Sequence, residues 1–158
     1  MPKTTPKQQT TVADYLDALP DDRRKALGAV RAAIRKHLPK GYEEACTGTF
    51  ITYQVPLARF PDTYNGQPLW IAALASNKSY LTLHLMPAYG DPTAAGRLKD
   101  GFAKAGKRLD MGKACIHFRT AGDLALDVIG EIIASTPVDR WIALHEAAHA
   151  NRQRTKRR

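Results

Sequence analysis

Three features of the sequence predict an α+β fold, an antiparallel sheet of about four or more strands flanked by N-terminal and C-terminal helices. The chain opens and closes with apolar residues at helical spacing. Its middle switches to alternating or continuous apolar runs. The links between those runs are too short for parallel crossovers. With 158 residues and 17.4 kDa the chain suffices for one core and falls short of two ordinary domains. Hydrophobic residues at 44% and charged residues at 25% are globular proportions, which sets aside wholesale disorder and coiled coils.

At the N-terminal side, Thr11 and Asp14 form a capping-box pattern opening a short helix that ends near Leu19, before Pro20. A longer helix follows from Asp21. Its acids stand at the start and Arg35, Lys36 and His37 in the last turn, as the helix dipole favours. Leu27, Val30, Ile34 and Leu38 mark its buried stripe, and Pro39 and Gly41 end it.

Residues 50–55 are β-branched and aromatic, a strand closed by Pro56. Pro61, Asp62, Asn65, Gly66 and Pro68 then mark a turn-rich stretch. Leu69 to Ala75 is a fully apolar strand of seven residues, far short of the roughly 20 needed to span a membrane. Ser76, Asn77 and Lys78 suit a tight turn into a strand over 80–86, where Leu81, Leu83 and Leu85 face one way and Thr82, His84 and Met86 the other.

Asp91 and Pro92 start a helix running to about Ala105 and stopped by Gly106. A polar loop over 107–113 leads to a fourth strand, Ala114 to Phe118. Thr120 and Asp123 form another capping box before a helix carrying Leu126, Ile129 and Ile133. Thr136, Pro137 and Asp139 start the last helix, which runs to about Asn151. Residues 11–150 thus form one domain between a basic N-terminal extension, 1–10, and a basic C-terminal tail, 151–158.

The formal charge of +9 belongs to those ends. Seven of the 24 bases fall within residues 1–9 and 151–158, whereas all 15 acids lie between Asp14 and Glu146. Such tails bind nucleic acid through phosphate contacts or simply keep a chain soluble; without an aromatic platform or groove-reading motif, solubility is the favoured role. Lysines without an apolar stretch behind them do not make a secretory signal, and Cys46 and Cys115 read as reduced thiols, so the expected location is cytoplasmic, away from membranes. Spacing alone does not decide whether those two cysteines pair.

His145, Glu146 and His149 match the helical zinc motif of two imidazoles one turn apart with a glutamate base. No third donor follows in 151–158, so a zinc-dependent hydrolase is an alternative and a helix bearing histidines beside Trp141, Leu144 and Ala148 is the plainer reading. Gly106, Gly112 and Lys113 have neither the spacing nor the strand–loop–helix order of a phosphate loop, though Lys107, Arg108 and Lys113 suit an anion. Cys115 and His117 alternate onto one face of their strand, with His84 on the matching face of another, a donor set suited to zinc or iron. A small anionic ligand is expected where the sheet's polar side meets the loops, at Tyr53, His84, Lys113 and His117.

The segments TVADYLDALPDDRRKALGAVRAAIRKHLP, PLWIAALASNKSYLTLHLM, GKRLDMGKACIHF and DLALDVIGEIIASTPVDRWI, in that order, resemble the YdhG-like family, the domain of unknown function numbered 1801. The resemblance covers about Thr11 to Ile142. It implies a small cytosolic α+β domain of a bacterial family without a general established activity. One branch is described as a frataxin-like intracellular iron chaperone, which would make the chain a non-enzymatic binding or chaperone-type module with iron as its cargo. Asp14, Asp17, Asp21 and Asp22 are the matching carboxylates, yet Arg23, Arg24 and Lys25 follow at once and no strongly acidic ridge exists.

Overall fold

The computed structural model describes residues 11–61, 63 and 66–156, with side chains as far as Ala150. Two helices lead: α1 (Val12–Asp17) and α2 (Asp21–His37). The Thr11 hydroxyl caps α1 by accepting from the Asp14 amide at 3.0 Å. Then come β1 (Glu43–Cys46), β2 (Ile51–Val55), β3 (Leu69–Ser76) and β4 (Leu81–Leu85). A helical turn, α3 (Pro87–Gly90), precedes α4 (Pro92–Lys104), whose cap is the Asp91 carboxylate accepting from Thr93 N at 3.1 Å. Last are β5 (Cys115–Phe118), α5 (Leu126–Ala134) and α6 (Val138–Lys156).

The sheet is antiparallel throughout, in the order β1-β2-β3-β4-β5. Sequential strands lie side by side because each link is short. The fold class is therefore the expected α+β arrangement, with one strand more than the four separate runs the sequence suggests.

β1 is the addition. Its sequence, Glu43-Glu-Ala-Cys46, lacks apolar alternation, so neither propensity nor pattern marks it as a strand. It forms because it is an edge whose carboxylates find partners: Gln54 Nε2 donates to Glu43 at 2.9 Å, and Arg31 reaches Glu44 from α2. Two starts also shift. Thr120 and Asp123 make both bonds of a capping box, but the box opens a single 3-10 turn (Ala121–Asp123) before α5 begins at Leu126. α6 begins at Val138, because the Pro137 carbonyl takes the Trp141 amide at 2.9 Å, while the Thr136 hydroxyl donates back to Ile132 at 2.8 Å. Helical backbone continues to Lys156, five residues past the expected end and into what reads as tail. Residues 1–10, with Lys3 and Lys7, lie outside the described residues, as do the side chains of Arg152, Arg154, Lys156, Arg157 and Arg158.

The core lies on one face of the sheet. Leu27, Val30 and Ile34 of α2, Leu98 and Phe102 of α4, and Ile129 and Ile133 of α5 pack against Ile51, Leu74, Leu83 and Ile116. Arg23 pins α2 to the β3–β4 turn by donating to Ser76 Oγ at 2.7 Å, to Lys78 O at 3.1 Å and to Asn77 O. Among the described residues no helix is long and apolar enough to cross a membrane.

Helix α4 tests this packing through two glycines. A Cβ on Gly101 would lie 2.3 Å from a Val128 methyl of α5, whereas one on Gly96 meets nothing within 4 Å. Gly96→Ala should raise the unfolding free energy by about 0.5–1 kcal/mol through helix propensity. Gly101→Ala should lower it by about 1–3 kcal/mol, because the clash outweighs the same propensity gain. Urea unfolding midpoints of the two variants check the opposite signs.

Candidate functional site

Strand register sorts the side chains by face. One row across the sheet, Glu44, Tyr53, Ala72 and Leu85, points to the helices. The next, Ala45, Thr52, Ala73, His84 and Cys115, points away. Between Tyr53 and Gln54 the pairing slips, so that Tyr53 faces Ala72 and Gln54 faces Trp70. Ile71 is the extra residue of a β-bulge. It stays in the core, and Trp70 joins Thr52 and Gln54 on the far face.

Above that far face lies a cleft of about 530 Å³. Its floor includes Trp70, Thr52 and Gln54, its rim Thr63 and Pro68, and its other wall the Trp141, Leu144 and His145 side of α6. Several bonds set α6 there. Trp141 Nε1 donates to the Trp70 carbonyl at 3.0 Å, Arg140 pairs with Asp91 at 3.0 Å, Arg59 pairs with Asp139, and Tyr42 donates its hydroxyl to Thr136 O at 2.8 Å. His145 also stands edge-on to Phe60, ring centres 5.9 Å apart. Among the described residues lining the cleft there is no Asp, Glu, Lys or Arg. The floor's polar groups are engaged with one another: the Thr52 hydroxyl donates to Gln54 Oε1 at 2.9 Å. The Thr63 hydroxyl oxygen, in contrast, is buried and makes no hydrogen bond among the described residues.

A second, shallower recess of about 460 Å³ lies by β5, between Tyr80, Lys107, Arg108 and Arg119. Its charges are partly spent internally. Lys107 Nζ donates to Leu124 O at 2.9 Å. Asp123 accepts from the amides of Arg119 and Thr120 at 2.9 and 3.0 Å, which holds its carboxyl below the usual range. His117 stacks on Tyr80 with ring centres 4.2 Å apart, and its Nδ1 is 3.7 Å from Asp110.

The expected ligand set Tyr53, His84, Lys113 and His117 does not assemble. Tyr53 is fully buried on the helix face and donates its hydroxyl to Glu44 at 2.8 Å, because β-strand alternation puts it opposite to His84. Lys113 is exposed on the loop before β5 and lines neither recess. His84 meets Cys115, Nδ1 to Sγ 3.1 Å, while His117 stands over Thr82 in the register. Asp14, Asp17, Asp21 and Asp22 are all exposed, and Asp21 pairs with Arg24. His145 and His149 both line the cleft, yet among the described residues no three of His, Cys, Asp and Glu come together around a metal position. The residues that sequence reasoning passed over are Trp70 and Met86, which it reads as strand interior. The polar Thr52 and Gln54 inside an apolar run were the available signal for a second working face.

No family model, no curated protein and no solved structure matches the chain.

Tyr53 belongs instead to a half-buried network. Arg31 grips Glu44 from one guanidinium edge, Nε and Nη2 each donating to a carboxylate oxygen at 2.9 Å. Burial by itself would raise the Glu44 carboxyl, but the bonds from Arg31 and Tyr53 and the charges of Arg31 and Arg35 hold it below 4.5. Burial, then the Glu44 carboxylate, pushes the Tyr53 hydroxyl well above its ordinary value. A depressed native carboxyl contributes stability that is complete above 4.5 and lost as pH falls through the lowered native value. Arg31→Ala should therefore cost about 2–3 kcal/mol near neutrality, by taking from a half-buried carboxylate the cation that grips both its oxygens. It should also flatten the acid limb of stability against pH, as urea melts at graded pH would read.

Proposed function

We propose that the protein is a non-enzymatic binding module whose site is the cleft between the far face of the sheet and α6. The observation that supports this best is the cleft's chemistry: a volume of about 530 Å³ walled by Trp70, Trp141, Leu144 and Met86 with no formally charged side chain among its described lining residues. Small-molecule sites run from about 300 to 1,000 Å³ and are mostly apolar with a few polar handles. The fitting ligand is an uncharged, aromatic-rich molecule. The titratable groups among the described lining residues are Tyr89, His145 and His149.

Membership of a YdhG-like family and a cytoplasmic setting belong to the same proposal, resting on the ordered segments quoted above and on two free thiols. Iron carriage has less behind it. The four aspartates stand on exposed turns of α1 and α2, away from the cleft lining.

A neutral naphthylamine dye tests the reading. It should bind the full chain saturably with a rise in dye fluorescence and quenching of tryptophan emission. Trp70→Ala and Leu144→Asp should each weaken that binding about tenfold, or ~1.4 kcal/mol, through lost apolar contact and an introduced charge. Unsaturable binding, or affinities unchanged in both folded variants, would defeat it.

A further inference from the structure

We infer that Cys115 is a nucleophilic thiol, a modification site for small uncharged carbon electrophiles, with the His84 imidazole as its base. The inference stands apart from the cleft: neither residue lines it.

The β4–β5 register sets His84 directly opposite Cys115, so the two side chains rise from the same face of adjacent strands. Nδ1 lies 3.1 Å from Sγ, close for a bond involving sulfur. Both residues are half-buried, which strengthens a polar contact between them. The Phe50 ring stands edge-on to the imidazole, centres 5.5 Å apart at 74°, and restricts its rotation. Burial first, then the neighbouring His117, pulls the His84 pKa down, so the ring is neutral near physiological pH. With the ring proton on Nε2, Nδ1 accepts the thiol proton. A nucleophile and a base within hydrogen-bond reach, the base held by a third group, are the ingredients of an activated thiol.

The step balances without an oxidant or reductant. The thiol proton passes to Nδ1, the sulfur electron pair forms a carbon–sulfur bond, and the bond from that carbon to its leaving group breaks with the electron pair departing on the leaving group. The proton then leaves His84 for solvent.

Cys46 is a control within the same chain. It is also a free, half-buried thiol, but its register partner is Ile51 instead of an imidazole. It sits on β1 and Cys115 on β5, opposite edges of the sheet. Four strand spacings of about 4.8 Å separate those edges, so the two sulfurs cannot form an intramolecular disulfide.

Iodoacetamide, followed over time by mass spectrometry of the digested full chain near neutral pH, gives a rate for each cysteine. Cys115 should react about tenfold faster than Cys46. His84→Phe should remove that advantage while leaving the Cys46 rate unchanged. His84→Gln, which keeps a polar side chain without a base, should do the same and serves where the phenylalanine disturbs folding. Equal rates at the two cysteines of the unaltered chain overturn the inference, and so does a Cys115 rate that stays high in either folded variant. Dye binding at the cleft should be the same before and after alkylation, which separates this result from the fate of the binding proposal.

Discussion

The pleat of the sheet is the constraint from which the rest follows. Successive side chains must point to opposite faces, and α2, α4 and α5 pack on one of them. On the helix side the strands carry Ile51, Tyr53, Leu74, Leu83 and Ile116, each with at most a trace of surface exposed. On the other side the central row is Thr52, Ala73, His84 and Cys115, small or polar residues that need less cover. Phe50 lies over part of this row, against both Trp70 and His84. α6 reaches over another part through Trp141. The uncovered remainder is where both the cleft and the thiol–imidazole pair are found.

The two faces handle polar groups differently. On the helix side Glu44, Arg31 and Tyr53 satisfy one another, which is what burial requires of a charge. Tyr53 has no hydroxyl to spare there, so a residue that looks like a ligand handle is a structural one. On the far side the Thr52, Gln54 and Glu43 chain uses up the floor's hydrogen bonds and leaves the indoles to define the surface. A partly uncovered apolar cavity forgoes contacts that a ligand of matching shape restores, roughly 25 cal/mol for each Å² removed from water.

The β-bulge at Ile71 joins these two economies. By adding one residue to β3 it keeps Ile71 in the core and turns Trp70 outward, opposite Gln54. Trp141 then ties α6 to the carbonyl of that same tryptophan, so a single irregularity in the ladder sets both the floor and the wall of the cleft. α3 completes the fit, because a Cβ on Gly90 would press on the Trp141 ring at 3.2 Å.

Local chemistry, read along the chain, determined every helix but the short α3, four of the strands and their antiparallel sense, since apolar period, caps and link length are properties of neighbours in sequence. It also determined that Cys115 and His117 share a face of their strand, because alternation is a property of one strand. Tertiary structure alone decided the register that puts His84 against Cys115, the bulge that turns Trp70 outward and the path of α6. It likewise decided that Glu43-Glu-Ala-Cys46 becomes a strand, through carboxylate partners up to 13 residues away in sequence. Those outcomes depend on which residues meet after the chain has folded back on itself, and spacing along the chain does not encode distance between its folded parts.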